Sequence, residues 1–88
     1  MVISYVGDVT ELCEYLSPRH MSDCAVYGST LISKIRDIMP DINVIEVDDV
    51  SVYYNIHGRD NLIIADRDYS NIDRHKICWS KIIKVGRV

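Results

Sequence analysis

The chain has 88 residues, of which 48% are hydrophobic and 26% charged, and its formal net charge is −3 at pH 7. A chain of this length builds one core, so we expect a single domain over residues 1–88 and exclude a two-domain enzyme. No apolar run approaches the roughly 18–20 residues that cross a bilayer, and the first residues lack a signal-peptide pattern, which predicts a cytoplasmic protein.

A strand followed by a helix is predicted at the start of the chain. Val2–Val6 is a short apolar run typical of a strand. Asp8 and Glu11 have the spacing of a capping box, which favours a helix that begins at this point and ends at Ser17-Pro18. The apolar residues at helical spacing within it are Val9, Leu12, Cys13 and Leu16.

The same pattern is predicted a second time. The run Cys24–Tyr27 favours a strand, and Gly28 closes it. Ser29 is a suitable N-cap for a second helix, which Pro40 terminates. The apolar stripe of that helix consists of Leu31, Ile35, Ile38 and Met39.

The pattern then changes to three consecutive strands, at Val44–Val47, Val50–Ile56 and Leu62–Ala65. The polar breaks between them, Asp48-Asp49 and residues 57–60, are typical of hairpin turns. In the middle strand, alternation places Tyr53 on the less buried side of the sheet, where it is a candidate for contact with a partner.

The last segment fits two patterns. Ser70 and Asp73 form a capping box, Lys81 and Lys84 lie where a helix end attracts cations, and Gly86 is a natural stop, so we predict a helix. The alternative is a strand, since apolar residues also alternate through Ile77, Trp79, Ile83 and Val85. Together the elements predict an α/β (α+β) fold of order β-α-β-α-β-β-β-α, with helices packed on a mixed sheet of four to five strands.

Charge is divided unevenly along the chain. Residues 1–73 contain thirteen acidic and five basic residues, whereas residues 74–88 contain five basic residues and none that is acidic. On a helix, Arg74, Lys81 and Lys84 would lie along one flank beside Trp79 and could contact an acidic protein surface or a second copy of the chain. Neutralisation of the acidic body by its own basic segment is the structural alternative, and nucleic acid is a less favoured partner because an acidic body repels it.

The turn Gly28-Ser29-Thr30 joins a predicted strand to a predicted helix. Such a turn presents backbone N–H groups, hydroxyls and the positive end of a helix, which together suit a phosphate group. Neither of the established glycine-rich nucleotide motifs is present, so an ordinary capped helix start is the alternative.

No complete set of catalytic or metal-binding residues is found in the sequence. His20, His57 and His75 are scattered, and the three cysteines, Cys13, Cys24 and Cys78, lack CxxC spacing, which favours buried thiols. Asp66, Asp68 and Ser70 copy the first half of a calcium loop, but Ile77 stands where the closing glutamate belongs. We therefore predict no cofactor and no metal, and we favour a protein that is not an enzyme.

The leading hypothesis is a small interaction module, dimeric or oligomeric, that binds and blocks or sequesters a partner protein. Its richness in isoleucine, aspartate and tyrosine suggests a viral or phage accessory or inhibitor protein, which would act in the host cytoplasm. The partner-binding candidates are Tyr53, Arg74, Trp79, Lys81 and Lys84. The alternative is a small nucleotide- or phosphate-binding protein that uses Gly28, Ser29 and Thr30.

Overall fold

Five strands and two α-helices are found in the part of the chain that the structure describes. A computed structural model describes residues 2–19, 23–48, 59–72 and 79–88. The strands are β1 (Val2–Asp8), β2 (Cys24–Tyr27), β3 (Val44–Val47), β4 (Asn61–Ala65) and β5 (Lys81–Arg87); the helices are α1 (Val9–Leu16) and α2 (Ser29–Ile38), and 3₁₀ helices cover Ser17–Arg19 and Asp66–Ile72.

The five strands form one sheet in the order β1-β5-β4-β2-β3. All four pairings between neighbouring strands are parallel. The predicted α/β class is confirmed, and so is the alternation of strands and helices from β1 to β3, but the prediction of a mixed sheet is wrong. β4 is buried along its whole length and has no polar face. This is typical of a strand in a parallel sheet, whereas an antiparallel strand with one face in solvent alternates apolar and polar residues.

β3 and β4, the described strands on either side of the predicted hairpins, lie apart in the sheet. They point the same way and lie on opposite sides of β2, so they are not neighbours. Residues 49–58, which contain most of the two predicted hairpin turns, lie outside the described residues. The predicted strand Val50–Ile56, which includes Tyr53, lies outside the described residues.

The predicted final helix is wrong over residues 81–87, where the chain forms β5. This strand lies between β1 and β4, and its apolar residues are buried on both faces of the sheet. β-branched residues suit that position, since they pack well against the neighbouring strands. The start of the predicted helix, with Asp73 and Arg74, lies outside the described residues.

The sheet separates two apolar clusters. On one face, α1 and α2 cover alternate residues of the strands, among them Val26 of β2 and Ile83 of β5. On the other face, Trp79 and Ile72 pack against the intervening positions, such as Ile64. Both clusters are made of fully buried side chains, so burial on two sides holds the central strands in place.

The start of α1 is capped as the sequence predicts. The Asp8 carboxylate accepts a hydrogen bond from the Glu11 N–H at 2.8 Å, and the Glu11 carboxylate accepts one from the Gly7 N–H. The Asp8 side chain thereby satisfies a donor of the first turn that the helix itself leaves without an acceptor, whereas the Gly7 N–H belongs to β1. The predicted cap by Asp8 is therefore confirmed, but Glu11 bonds the residue before the N-cap and not the N-cap itself, so the reciprocal half of the capping box is not formed.

Removal of the Asp8 cap should lower the stability of the protein measurably. We expect Asp8→Ala to lower the free energy of unfolding by about 1 kcal/mol, because the first turn of α1 loses its acceptor. Asp8→Asn keeps an acceptor oxygen and should retain most of the stability. Urea unfolding followed by circular dichroism checks both variants, and equal losses in the two would show that the charge of Asp8, not the cap, is what matters.

Candidate functional site

The strand order creates a crevice at one edge of the sheet. After β2 the next strand along the chain is β3, on one side, whereas after β4 the next described strand is β5, on the other side. The chain therefore leaves the neighbouring strands β2 and β4 in opposite directions. In parallel α/β sheets, ligands bind at the carboxyl ends of the strands, at the point where the order reverses in this way.

A cavity of about 180 Å³ lies at this point. Gly28, Ser29 and Thr30 line it from the turn between β2 and α2, and Arg67 and Asp68 line it from the segment that follows β4. The structure thus places the three residues of the predicted phosphate-binding turn together in a concave site. It adds two charged residues that the sequence analysis did not assign to this site.

The first turn of α2 faces the cavity without a side-chain cap. Gly28 occupies the N-cap position, with φ 105° and ψ 129°, and no side chain accepts a hydrogen bond from the helix start. The prediction that Ser29 is the N-cap is wrong, because Ser29 is already the first helical residue. The Ile32 N–H bonds to the Gly28 carbonyl at 3.2 Å, which leaves the three preceding N–H groups without acceptors inside the helix.

The backbone of Gly28 explains why glycine occupies this position. A φ of 105° is a conformation that residues with a side chain rarely adopt, although a Cβ atom there would meet nothing within 4 Å. The constraint therefore comes from the backbone and not from crowding. This conformation turns the chain sharply from β2 into α2 and brings the amides of the first helical turn to the mouth of the cavity.

The two acidic residues beside Arg67 differ in their partners. Asp66 is paired with Lys84, with 3.0 Å between the Asp66 Oδ1 and Lys84 Nζ atoms. Asp68 is the residue near Arg67, at 3.9 Å between Oδ2 and Nε, and the Arg67 side chain is 75% exposed. A contact this long and exposed holds Arg67 only weakly, so its guanidinium is free to turn toward an anion in the cavity.

The predicted partner-binding residues do not form a common surface. Trp79 is 1% exposed and lies in the core. Lys81 and Lys84 are three residues apart on a strand and therefore point to opposite faces of the sheet. Lys81 contacts Tyr15 of α1, with Nζ 4.7 Å from the ring centroid, and Lys84 lies 4.6 Å from the centroid of Tyr69 on the other face. Tyr53 and Arg74 lie outside the described residues.

Arg67 and Asp68 are the residues that sequence reasoning missed. They lie two and three residues after the apolar run of β4, and charged residues at the carboxyl end of a buried parallel strand are the signal that could have indicated them. In the sequence, Asp66, Asp68 and Ser70 copy half of a calcium loop, but Ile77 stands where the closing glutamate belongs, so the pattern favours an ordinary turn. In the structure Asp66, Asp68 and Ser70 belong to the 3₁₀ helix Asp66–Ile72.

A second cavity, of about 370 Å³, lies on the same edge of the sheet. Its walls include Asp8 at the end of β1, Thr10 of α1, Lys34 and Asp37 of α2, and Arg87 of β5. Its charged residues are mixed in sign, and the Asp8 side chain is already engaged as the cap of α1. The helix start at this cavity, that of α1, is therefore capped by a side chain, whereas the start of α2 at the smaller cavity is not.

The cysteines of the described residues are not suited to nucleophilic chemistry. Cys13 and Cys24 are free and buried. Burial raises the pKa of the Cys13 thiol, and burial together with the negative charge of Asp23 raises the pKa of Cys24 to about 12. A thiol with so high a pKa stays protonated at neutral pH and is unreactive. Cys78 lies outside the described residues.

The amino ends of the strands hold polar groups that bond to one another. The Asp60 carboxylate accepts a hydrogen bond from the Ser80 hydroxyl at 3.1 Å. Arg59 donates to the carbonyl and to the side-chain oxygen of Asn43, at 2.8 and 3.0 Å. These contacts tie the loops before β3, β4 and β5 together, so we assign this edge a structural role.

In residues 2–19, 23–48, 59–72 and 79–88, no three His, Cys, Asp or Glu side chains are grouped as metal ligands. None of the helices in that part of the chain has the length and apolar character needed to cross a membrane. No protein family, curated protein or solved structure matches the chain.

Proposed function

We propose that the protein binds a small phosphate-bearing ligand in the cavity between the carboxyl ends of β2 and β4. The observation that carries the proposal is the position of the uncapped start of α2 at the reversal of the strand order, with Arg67 on the opposite wall. Each feature alone is common in α/β proteins. Their coincidence in one concave site supports a bound anion.

The expected binding mode follows from the donors on the two walls. The N–H groups of the first turn of α2 donate to the phosphate oxygens, and the exposed hydroxyls of Ser29 and Thr30 add further donors. Arg67 turns away from Asp68 and contributes a charged, planar pair of donors. Asp66 is paired with Lys84, so Asp68 is the carboxylate that faces the ligand. It repels the phosphate itself but accepts a hydrogen bond from a hydroxyl group of the ligand.

The size of the cavity limits the ligand. At about 180 Å³ it is smaller than the pockets of roughly 300–1,000 Å³ that enclose whole drug-sized molecules. We therefore propose that it holds the phosphate and the group attached to it, as in a nucleotide or a sugar phosphate, and that the rest of the ligand extends outward. Asp68 would then accept a hydrogen bond from a sugar hydroxyl.

Titration with inorganic phosphate and with adenosine monophosphate tests the proposal. In a spectrum of the ¹⁵N-labelled protein, we expect the amide signals of Ser29, Thr30 and Leu31 to move first. Arg67→Ala should weaken binding about tenfold to a hundredfold, because it removes a charge-assisted contact. Ser29→Ala should cause a smaller loss, since the backbone donor remains.

Lys34→Ala is the matched control for Arg67→Ala. It also removes one exposed positive charge, but Lys34 lines the larger cavity and not the proposed site. The affinity for phosphate should therefore change little. Equal losses in both variants would show that phosphate responds only to overall charge, and an unchanged affinity in Arg67→Ala would contradict the proposed site.

The interaction module remains a second candidate, but on a different surface. Over residues 81–87 the chain forms β5 and not the basic helix that supported this hypothesis, and Trp79 is buried. What now supports contact with another protein is the exposed apolar edge of β1, where Val2, Ile3 and Tyr5 are 59%, 47% and 62% exposed. We also propose a reducing compartment such as the cytoplasm, a proposal supported by the free thiols of Cys13 and Cys24.

A further inference from the structure

The outer side of β1 presents backbone hydrogen-bonding groups at alternate residues. The Val2 N–H donates to the Ser80 carbonyl at 3.0 Å, so Val2 directs its backbone groups toward β5. In a parallel pair, every second residue of a strand bonds to the neighbour and the residues between them point away. Ile3, Tyr5 and Gly7 therefore point their N–H and C=O groups outward. No described strand pairs with that side, since β1 is at the end of the sheet order.

One of the three outward N–H groups is already satisfied. The Gly7 N–H donates to the Glu11 carboxylate, which lies beside the strand. A Cβ atom on Gly7 would come within 2.8 Å of the same Glu11 oxygen, so glycine allows the carboxylate to approach this closely. The edge is therefore closed at Gly7 and open at Ile3 and Tyr5.

The open part of the edge is apolar and carries no charge. Ile3 and Tyr5 are the outward residues, and their side chains are 47% and 62% exposed. The opposite edge of the sheet is different, because β3 carries the exposed Glu46 and is followed by the exposed Asp48. Charges on an edge strand oppose pairing with another chain, and β1 lacks them from Val2 to Gly7.

We infer that β1 pairs with β1 of a second copy of the chain, in antiparallel orientation about a two-fold axis at Ser4. This register places Ile3 opposite the partner subunit's Tyr5 and Tyr5 opposite the partner subunit's Ile3. Two opposed residues that both point their backbone groups toward the other strand form two N–H···O hydrogen bonds with each other. The two Ile3–Tyr5 pairs of the dimer therefore form four hydrogen bonds. No bond is required of the Gly7 N–H, which stays with Glu11.

The side chains fit the same register. Directly opposed residues lie on one face of the sheet, so Ile3 would pack against the partner subunit's Tyr5, an aromatic and β-branched pair that favours pairing of strands. On the other face, Val2 would meet the partner subunit's Val6. Moving the register so that Tyr5 lies opposite its own copy would instead require the Gly7 N–H that Glu11 occupies. In the proposed register a second copy therefore satisfies the open edge without the Gly7 N–H, and the contact is isologous and closed.

Ile3→Pro tests the pairing without removing a bond inside the subunit. The substitution deletes the outward N–H at residue 3, and proline is tolerated on edge strands when that group faces solvent. By sedimentation velocity over a dilution series, we expect the unaltered protein to change reversibly from dimer to monomer. Ile3→Pro should weaken the dimer at least about tenfold, because it removes two of the four hydrogen bonds.

Ile3→Lys is the second variant, since it introduces charge on the edge and leaves the backbone unchanged. It should also yield a monomer, and circular dichroism confirms that each variant is folded. Hydrogen exchange provides a residue-level readout. The amides of Ile3 and Tyr5 should become protected only at high protein concentration, whereas those of Ser4 and Val6 are protected at all concentrations.

Three outcomes would overturn the inference. The first is a protein that stays monomeric across the dilution series. The second is a dimer that both variants leave unchanged, and the third is an open polymer, which would indicate that β1 pairs with β3 of the next copy. Phosphate titration of the Ile3 variants should be unaffected, so a failure of this inference is distinguishable from a failure of the ligand site.

Discussion

Replacing Trp79 by alanine is expected to lower the free energy of unfolding by about 3–5 kcal/mol. The indole is 1% exposed and packs with the apolar cluster on the face of the sheet opposite α1 and α2. Loss of the ring removes its buried apolar area and leaves a cavity against Ile72 and Ile82 that the surrounding residues fill only in part. For a domain whose total stability is of the order of 5–15 kcal/mol, this is a large fraction.

Trp79→Phe is the control that separates packing from polarity. The indole Nε1 atom is buried and has no hydrogen-bond partner among the described residues, so phenylalanine keeps an aromatic ring and gives up no bond to them. We expect a loss well below that of Trp79→Ala. Urea unfolding followed by circular dichroism measures both, because the fluorescence of the only tryptophan is lost in both variants. A stable Trp79→Ala protein would contradict the burial of this residue.

Alkaline pH is expected to destabilise the protein through Cys24. Burial, with smaller contributions from the negative charges of Asp23 and Asp60, raises the pKa of this thiol from 9.0 to about 12, and the positive charges of Arg59 and Lys81 only partly oppose the shift. The folded state thus favours the neutral thiol. The stabilisation is complete below pH 9.0 and declines between pH 9.0 and about 12, by about 1.4 kcal/mol per pH unit.

Cys24→Ala isolates this effect from the titration of lysine and tyrosine, which occurs in the same range. The variant should have lower stability at neutral pH, since it loses a buried sulfur atom, but a shallower decline above pH 9.0. Urea unfolding at a series of pH values gives both slopes. Parallel declines in the two proteins would show that the ionisation of Cys24 is not linked to folding.

The first half of the fold could be predicted because each element has its own periodicity and its own end signals. The capping box at Asp8 and Glu11 identified α1, and Gly28 and Pro40 marked the limits of α2 within a residue or two. β5 could not be predicted in the same way. Its residues Lys81 and Lys84 imitate the cations of a helix end, whereas in the sheet they contact Tyr15 and Asp66 on opposite faces.

The sequence predicted the residues on only one of the two walls of the candidate site. Gly28, Ser29 and Thr30 are contiguous, so the sequence alone indicates a strand-to-helix turn that suits an anion. Arg67 and Asp68 join them only because β4 lies beside β2. That pairing depends on packing between segments far apart in the chain, which local periodicity does not encode.

The pairing of β1 with β5 has a consequence for the synthesis of the protein. β1 leaves the ribosome before the other described strands, whereas its neighbour β5 is made after all of them. At translation rates of roughly 5–20 residues per second, the nascent chain would carry this apolar strand without its partner for a delay on the order of several seconds. During that time both sides of β1 are open to chaperones and to other nascent copies, so the sheet is completed only after β5 has been made.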